Sequence, residues 1–598
     1  MLSSVATIGK HIIEKEGKDI NNPLSILVEN PNVDGKYNII FKIAFDENFN
    51  YLGVFDDMFD SSMILKLLYK KSSGANAPDL SPTSKLVEAE KTFNKKILRA
   101  VADAKKFKNT HFLKKLEKAL KDNKDKIIED IKKLKESYPK DGVILTITFR
   151  KGDEELYVGD IEEFRDCFMY KAIRDYYYMK TGNITAKGYG ICSICNKNEE
   201  VFGLFREFGF YTIDKVGNID GLNPNEAWKR FPICLKCALY VKAGKNYLDE
   251  HLKAKFYGND IYIIPKVLDE SVIEKVLKRF EDMVKELGTR DYSYMEDRLF
   301  RFLSRKDIYL YITFMFFEKG NDFKITQMIE DILPSRFGRL YKEINKIESY
   351  GIFKYYKLKI KKPSKKEKDY YKKIFGDDFE GLKFRFGYIK EFFDNDDFLK
   401  MMNIIISSKK IDYSYLINGF LSKIREKFVK DEPYELFAYK SFMIILYLMN
   451  LKILDGEIMG DSKEYYHYDE VDEFFENYKG FFDKDEKKAV FLLGVLTNKL
   501  LALQYQKRQS KPFQAKLYGL NLDKYKVENI FKEANKKLME YEQEDNIVYY
   551  KKLREKVAEY FVKAGNTWNT KNSEISYIFS LGMAMSDRFK SKGGDNNE

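Results

Sequence analysis

Histidine is scarce in this chain. Only His11, His111, His251 and His467 occur in 598 residues, none adjoins an aspartate in an HD pair, and there is no H-E-x-x-H. Metal hydrolysis built on paired histidines is therefore excluded, and each lone histidine reads as a surface or packing residue. Also absent are a G-x-x-x-x-G-K-[ST] phosphate loop and a G-x-S-x-G nucleophile turn, which removes P-loop ATP hydrolysis and the serine-hydrolase elbow. Five cysteines are too few for a disulfide-scaffolded secreted protein. No apolar run approaches the ~20 residues of a bilayer span; the most apolar, Phe442 to Met449, lies between Lys440 and Lys452. Met1 to Gly17 reads as an amphipathic helix carrying Ile8, Ile12 and Ile13, without the apolar core of a signal peptide. A cytoplasmic protein is expected.

What is present is size, apolar content and mixed charge. The chain is 44% hydrophobic and 15% aromatic, enough for several cores. Lys and Arg outnumber Asp and Glu by 105 to 93, a net +12. That suits a polyanion partner without requiring one, since a lysine-rich proteome gives the same balance.

The pattern along the chain predicts an α+β fold: a mixed N-terminal domain with a zinc-knuckle insertion, and a C-terminal all-helical bundle. Residues 1–185 form the first domain, with strands at Tyr37–Phe45 and Val143–Phe149, Lys- and Leu-rich helices between Ser84 and Ser137, and a helix over Ile161–Lys180. Cys167 on that helix reads as a small buried hydrophobe. Residues 186–245 form the insertion. Residues 246–395 form a second α+β region: a strand Asp260–Ile264 ending at Pro265, a helix Glu270–Leu287, a strand Ile308–Phe317, and a helix from Ile325 ending near Leu333-Pro334. Its Lys354–Lys373 run, broken by Pro363-Ser364, is a Lys-rich linker near 354–373. Helical periodicity dominates 396–598, where Leu493, Leu496, Leu500 and Leu503 share a face. The polar tail Ser591–Glu598 reads as disordered.

Cys192-Ser193-Ile194-Cys195 and Cys234-Leu235-Lys236-Cys237 are two C-x-x-C knuckles. Each places two thiolates on one side of a tight turn, and together Cys192, Cys195, Cys234 and Cys237 supply the four sulfurs that tetrahedral zinc prefers. With no open position the metal is structural. His251 lies downstream and is not needed to complete the set. An iron–sulfur cluster would use the same ligands, whereas a thioredoxin-like site needs only one C-x-x-C.

Two further features bear on function. Gly376-Asp377-Asp378 could place paired carboxylates for Mg²⁺ on a palm-type hairpin, but the Lys-rich run before it and Glu380-Gly381 after it favour two carboxylates in a turn. From Lys487 to Leu522 no acidic residue occurs, while Lys487, Lys488, Lys499, Lys507, Arg508, Lys511 and Lys516 do. With Gln504, Tyr505, Gln506 and Gln509 among them, this window suits nucleic-acid backbone contacts, with Tyr505 available for stacking; the alternative is a helix face neutralised by an acidic neighbour.

Several stretches taken in order carry a resemblance. They are Ile8-Gly9-Lys10; the double C-x-x-C with Phe231-Pro232-Ile233 leading into its second knuckle; and Ile329-Glu330-Asp331-Ile332-Leu333-Pro334-Ser335-Arg336 after an apolar strand. The closest are Leu492-Leu493-Gly494-Val495-Leu496 through Ser510-Lys511-Pro512-Phe513 to Leu517-Tyr518-Gly519-Leu520, and Glu574 through Met583. On these the chain resembles the large subunit of type I-B CRISPR Cascade interference complexes, the Cas-eight-b (Csh) family, most loosely between 340 and 440. The resemblance implies a non-catalytic subunit that binds guide RNA and target DNA, checks the motif beside the target, stabilises the opened strands, and contacts other Cascade subunits and a helicase–nuclease effector. Such a division lets base pairing read the sequence while protein holds backbones.

The competing reading is a palm-polymerase-type large subunit of a type III CRISPR complex making cyclic oligoadenylate, which needs a convincing GGDD hairpin. A transcription regulator would need a helix-turn-helix, and none is clear. The resemblance also implies a small-subunit-like bundle from about 459. Gly456-Glu457-Ile458-Met459 can be encoded by GGA-GAA-ATA-ATG, and GGAGAA resembles a ribosome-binding site. Met459 is thus a candidate start for an internally translated small subunit; the alternative is an ordinary loop methionine.

Overall fold

The structure, a computed structural model, describes residues 1–72, 77–209, 223–288, 302–303, 310–320, 323–357 and 381–592. The Gly376-Asp377-Asp378 turn, most of the Lys354–Lys373 run, Ile308 and the end of the polar tail lie outside them. The chain divides into two compact units, Met1–Glu250 with Asn321–Lys324, and His251–Gly320 with Ile325–Glu598.

The first unit is built on a sheet whose strands are β1 (Ile39–Asp46), β2 (Tyr51–Met58), β3 (Ser84–Lys85), β4 (Val143–Lys151) and β5 (Glu154–Tyr157). Their order is β2-β1-β4-β3, with β5 also on β4. β1 and β4 are parallel, Ile39 opposite Val143 through Asp46 opposite Arg150. Parallel neighbours need a crossover, and helices α2 (Arg99–Phe107), α3 (His111–Asp122) and α4 (Lys124–Lys135) lie within it. Alternation decides what faces them. Phe41, Ile43, Phe45, Leu145 and Ile147 bury one sheet face against Val101, Leu113, Leu116, Leu120, Ile127 and Ile131; Ile40 and Ile144 bury the other against Leu67 and Tyr157. β2 was missed by pattern because its residues are only partly covered. Helix α5 (Glu162–Ile173) is shorter than the expected Ile161–Lys180, giving way to a small hairpin, Tyr178–Met179 with Ile184–Thr185. Cys167 is buried on it, and burial pushes its thiol pKa up.

The N-terminal helix α1 is Leu2–Lys15. Ile8 and Ile13 are buried on it. A Cβ on Gly9 would lie 1.8 Å from the Tyr240 carbonyl oxygen, and one on Gly244 2.1 Å from that of Val5, so α1 and the helix α6 (Leu235–His251) touch backbone to backbone.

The second unit opens with a sheet of β6 (Lys253–Phe256), β7 (Asn259–Val267), β8 (Leu310–Lys319) and β9 (Phe323–Ile332), in that order. Two expectations fail here. β7 runs through Pro265, which sits opposite Ile312. Pairing with β6 ends at Tyr262, so beyond it β7 has an open edge where a proline removes no ladder bond on that side. The segment from Ile325 is strand β9, not a helix. Pro334 starts a helix instead of ending one: α7 (Pro334–Glu348) carries it in the first turn, where its missing N–H costs nothing. Arg336 on α7 donates from Nε to the Ile406 carbonyl at 3.1 Å and from Nη2 to that of Ile405, capping helix α8 (Asn395–Ile406).

From there the unit is helical apart from one pair of two-residue strands, Tyr466–His467 with Phe589–Lys590. The helices used below are α9 (Tyr413–Val429), α10 (Glu435–Asn450), α11 (Asp485–Arg508), α12 (Lys524–Asp545), α13 (Lys551–Ala564) and α14 (Asn572–Ala584). Leu493, Leu496, Leu500 and Leu503 are all buried on α11. The apolar helix α10 is buried on nearly every side from Ala438 to Met449, and no described helix is long and apolar enough to cross a membrane.

Candidate metal centre and basic surfaces

In the first unit a three-stranded sheet, Ile233–Cys234, Asn198–Phe202 and Lys187–Ile191 in that order, carries the cysteines. Cys192 follows the outer strand. Its N–H donates to the Lys197 carbonyl at 2.9 Å and its carbonyl accepts from Asn196 at 2.9 Å. Asn196 at φ +58° turns the first knuckle, a conformation asparagine tolerates. Ser193 donates to the Pro232 carbonyl at 2.8 Å and ties it to the second knuckle. There Cys234 ends a strand and Cys237 lies in the first turn of the helix Leu235–His251.

The four sulfurs lie within 4.8 Å of one another, with Cys195 Sγ 3.9 Å from Cys234 Sγ. A tetrahedral ion ~2.3 Å from each sulfur would space them by roughly 3.8 Å, so the donor set fits such an ion. Cys192, Cys234 and Cys237 are buried and Cys195 is partly exposed. The Cys234 N–H points to Cys192 Sγ at 3.5 Å. Hydrogen bonds from Cys234 and Cys237 hold the Cys192 thiol pKa down, and the same contacts push those of Cys234, to about 12, and Cys237 up. Buried thiols this close cannot all ionise unaided; a cation among them would make that possible. Trp228, which sequence reasoning passed over, supports the site. A Cβ on Gly188 would lie 2.3 Å from its Cε2 and one on Gly190 3.2 Å from its Cζ3, so glycines let the indole lie against the sheet, and a Cβ on Gly203 would lie 2.3 Å from the Trp228 backbone nitrogen.

The acid-free window does not form one open face. Lys487 is buried, with Asp483 and Glu574 each 2.7 Å from its Nζ. Lys488 meets Asp485 at 3.0 Å, Lys507 pairs with Asp545, Lys516 pairs with Glu533, and Lys499 also has a partner. Gln504 is buried and accepts the Phe513 N–H at 3.0 Å. Asp483 and Asp485 lie at the N-terminal end of α11, just before the window, but Glu574, Asp545 and Glu533 come from elements further along the chain, which a linear count cannot see. The longest exposed run in the window is Tyr505 to Pro512. Tyr505 is 50% exposed with Lys511 over its ring at 5.9 Å, and Arg508 lies over Tyr541 at 5.4 Å. Lys511 also lines a cleft of about 770 Å³ with Tyr355, Tyr434, Tyr465, Arg588 and Lys590.

Three models of one family match the chain in order: the N-terminal domain of CRISPR-associated protein TM1802 over residues 1–170, its central domain over 189–332, and its C-terminal domain over 384–597. No curated protein matches. The chain belongs to this CRISPR-associated protein family.

Proposed function

We propose that this member of the family is the non-catalytic large subunit of a type I-B CRISPR RNA-guided surveillance complex. It binds guide RNA and target DNA, checks the motif beside the target, stabilises the opened strands, and helps recruit the helicase–nuclease in antiviral defence. The observation that carries this reading is the ordered match to all three domains of one CRISPR-associated family. The four-thiolate set adds support: it leaves no coordination position for a substrate, which suits a structural zinc. Arg508, Lys511 and Tyr505 are the exposed residues of the acid-free window best placed for nucleic acid; the charge that favours this is that of the exposed stretch, since the cleft that Lys511 lines also carries Asp431, Glu432, Glu435, Glu464 and Asp587.

The test is reconstitution with the other Cascade subunits and guide RNA. The chain should co-purify with the loaded complex, and opening of a matched duplex should depend on both the chain and the target-adjacent motif. Opening that proceeds equally well without the chain would overturn the reading. Cyclic oligoadenylate formed by the purified chain with ATP and Mg²⁺ would favour the type III alternative.

A further inference from the structure

The positive charge of this protein is concentrated where the window did not point. Between Ala89 and Lys135 there are 16 Lys and Arg against 7 Asp and Glu, a net +9, while the whole chain carries +12. Three of the seven acids in this stretch are engaged. Glu117, largely buried, meets both Lys105 and Lys121; Asp103 faces Lys171 at 3.6 Å; Asp130 accepts the Tyr51 hydroxyl at 2.7 Å.

Helix α3 shows the consequence most sharply. Leu113, Leu116 and Leu120 are buried in the sheet–helix core. Lys114, Lys115 and Lys118 are exposed, and none has a carboxylate within salt-bridge distance among the described residues. Lys121 follows, sharing Glu117. At 1.5 Å per residue, Lys118 and Lys121 lie about 6 and about 10 Å along the axis from Lys114, so one helix presents a row of ammonium groups on the length scale of successive phosphates.

We propose that Lys114, Lys115 and Lys118 form a docking face for the sugar–phosphate backbone of duplex DNA. This rests on the reading of the chain as a nucleic-acid-binding subunit. A duplex fits better than a single strand because the row offers exposed charge, while the ring beside it, Phe49 with Lys115 5.9 Å above, is half-buried and packed on Phe112 and Phe149 and so is not free for a base to stack on. An anionic membrane fits worse, because a membrane-surface helix puts its apolar stripe into the lipid, and here that stripe is core.

The test compares the full chain with K114Q/K115Q/K118Q and with K400Q/K423Q/K430Q, a control whose lysines each pair with a helix neighbour, Asp397 or Glu426. The probes are a mixed-sequence DNA duplex, the guide RNA, and phosphatidylserine vesicles, each over a salt series. The α3 variant should lose at least tenfold affinity for duplex DNA. Its slope of log affinity against log salt should flatten by about two to three units, near 0.9 per phosphate contact. The control should match wild type, and unchanged melting of both variants excludes unfolding as the cause. If wild type binds with a steep salt slope and the α3 variant does the same, the docking face is wrong and the functional reading stands. If wild type binds neither nucleic acid, alone or in the complex, the functional reading fails first. Loss confined to vesicles would replace the proposal with a membrane surface.

Discussion

Gly494 on α11 and Gly582 on α14 meet so closely that neither position can hold a methyl group. A Cβ on Gly494 would lie 2.2 Å from the Phe579 carbonyl oxygen and 3.1 Å from Gly582 Cα; one on Gly582 would lie 2.0 Å from the Phe491 carbonyl oxygen. Both obstacles are backbone, which cannot swing aside as a flexible side chain can.

Gly494→Ala and Gly582→Ala should each destabilise the helical unit by about 1–3 kcal/mol, the usual cost of overpacking. Gly320→Ala, where a Cβ meets nothing within 4 Å, is the control. Denaturant unfolding followed by helical signal checks this: equal stability of G494A and wild type would mean that the two helices separate at little cost.

Metal analysis of reduced, purified protein should find about one zinc per chain, with four sulfurs at ~2.3 Å by X-ray absorption. Because binding a structural metal is coupled to local folding, Cys192→Ser or Cys234→Ser should raise proteolysis and amide exchange across 186–245, with the helical unit unaffected. Protein that holds no zinc and shows no such loss would refute the assignment.

How much of this was legible in the sequence depends on whether the signal was local. The C-x-x-C knuckles were, since each is four residues long, and so were β1 and β4, continuous apolar runs buried on both sheet faces, and α11, an apolar helix buried at every position from Ala489 to Thr497. Ile325–Ile332 was misread because its apolar residues are too irregularly spaced to separate strand from helix, and Asp331 at φ +53° breaks the alternation. Pro334 was assigned to the wrong end of a helix because a proline marks a boundary without its direction. The pairing of Lys487 with Glu574, or of Lys516 with Glu533, joins residues from different elements, and no count along the chain finds it. Trp228 under Gly188 is invisible for the same reason.

The Lys440 ammonium on α10 is almost wholly buried and lies 2.7 Å from the Glu391 carboxylate. Burial pulls its pKa below the ordinary 10.5 although Glu391 pushes the other way. The folded state therefore releases this proton before the unfolded chain does. Between the lowered value and about 10.5 the unfolded state binds more protons, so stability contributed by this site rises with pH. Glu391→Gln should cost about 3–5 kcal/mol at neutral pH by removing the carboxylate 2.7 Å from a buried ammonium, and the cost should shrink in alkaline solution. Lys440→Met added to that background should recover most of it. A penalty for E391Q that is small and independent of pH would sink this account.

Arg508→Glu with Lys511→Glu should weaken target-DNA binding by the assembled complex and flatten its salt dependence by about one slope unit per lost phosphate contact. Lys507 is left alone, because reversing it would break its pair with Asp545 and disturb the α11–α12 contact. Titrations with matched DNA at several salt concentrations decide it; an unchanged slope would assign the exposed Tyr505–Pro512 stretch to another role.

The internal start at Met459 makes a prediction about assembly as well as expression. Met459 is 53% exposed, and its N–H donates to the Asn477 carbonyl at 3.0 Å. A fragment from Met459 to Glu598 would keep that bond, and would keep Asp461 with the Tyr466 and Tyr478 hydroxyls that donate to it at 2.7 and 2.8 Å. It would keep α11 through α14 but lose α9 and α10. Both pack on α14: the Phe420 and Tyr577 rings lie 6.4 Å apart, and the Ser441 and Tyr577 hydroxyls 3.0 Å apart. Since α14 is buried from Ile575 to Met583, the fragment would expose part of that apolar helix to water, a surface that favours association. It should therefore appear bound in the complex rather than as a free monomer. Expressing the untagged gene with its partners, and weighing the purified assembly by mass spectrometry, should reveal a C-terminal fragment beginning near Met459. A synonymous change at Gly456-Glu457 should abolish it. An assembly containing only the full-length chain would defeat the internal start.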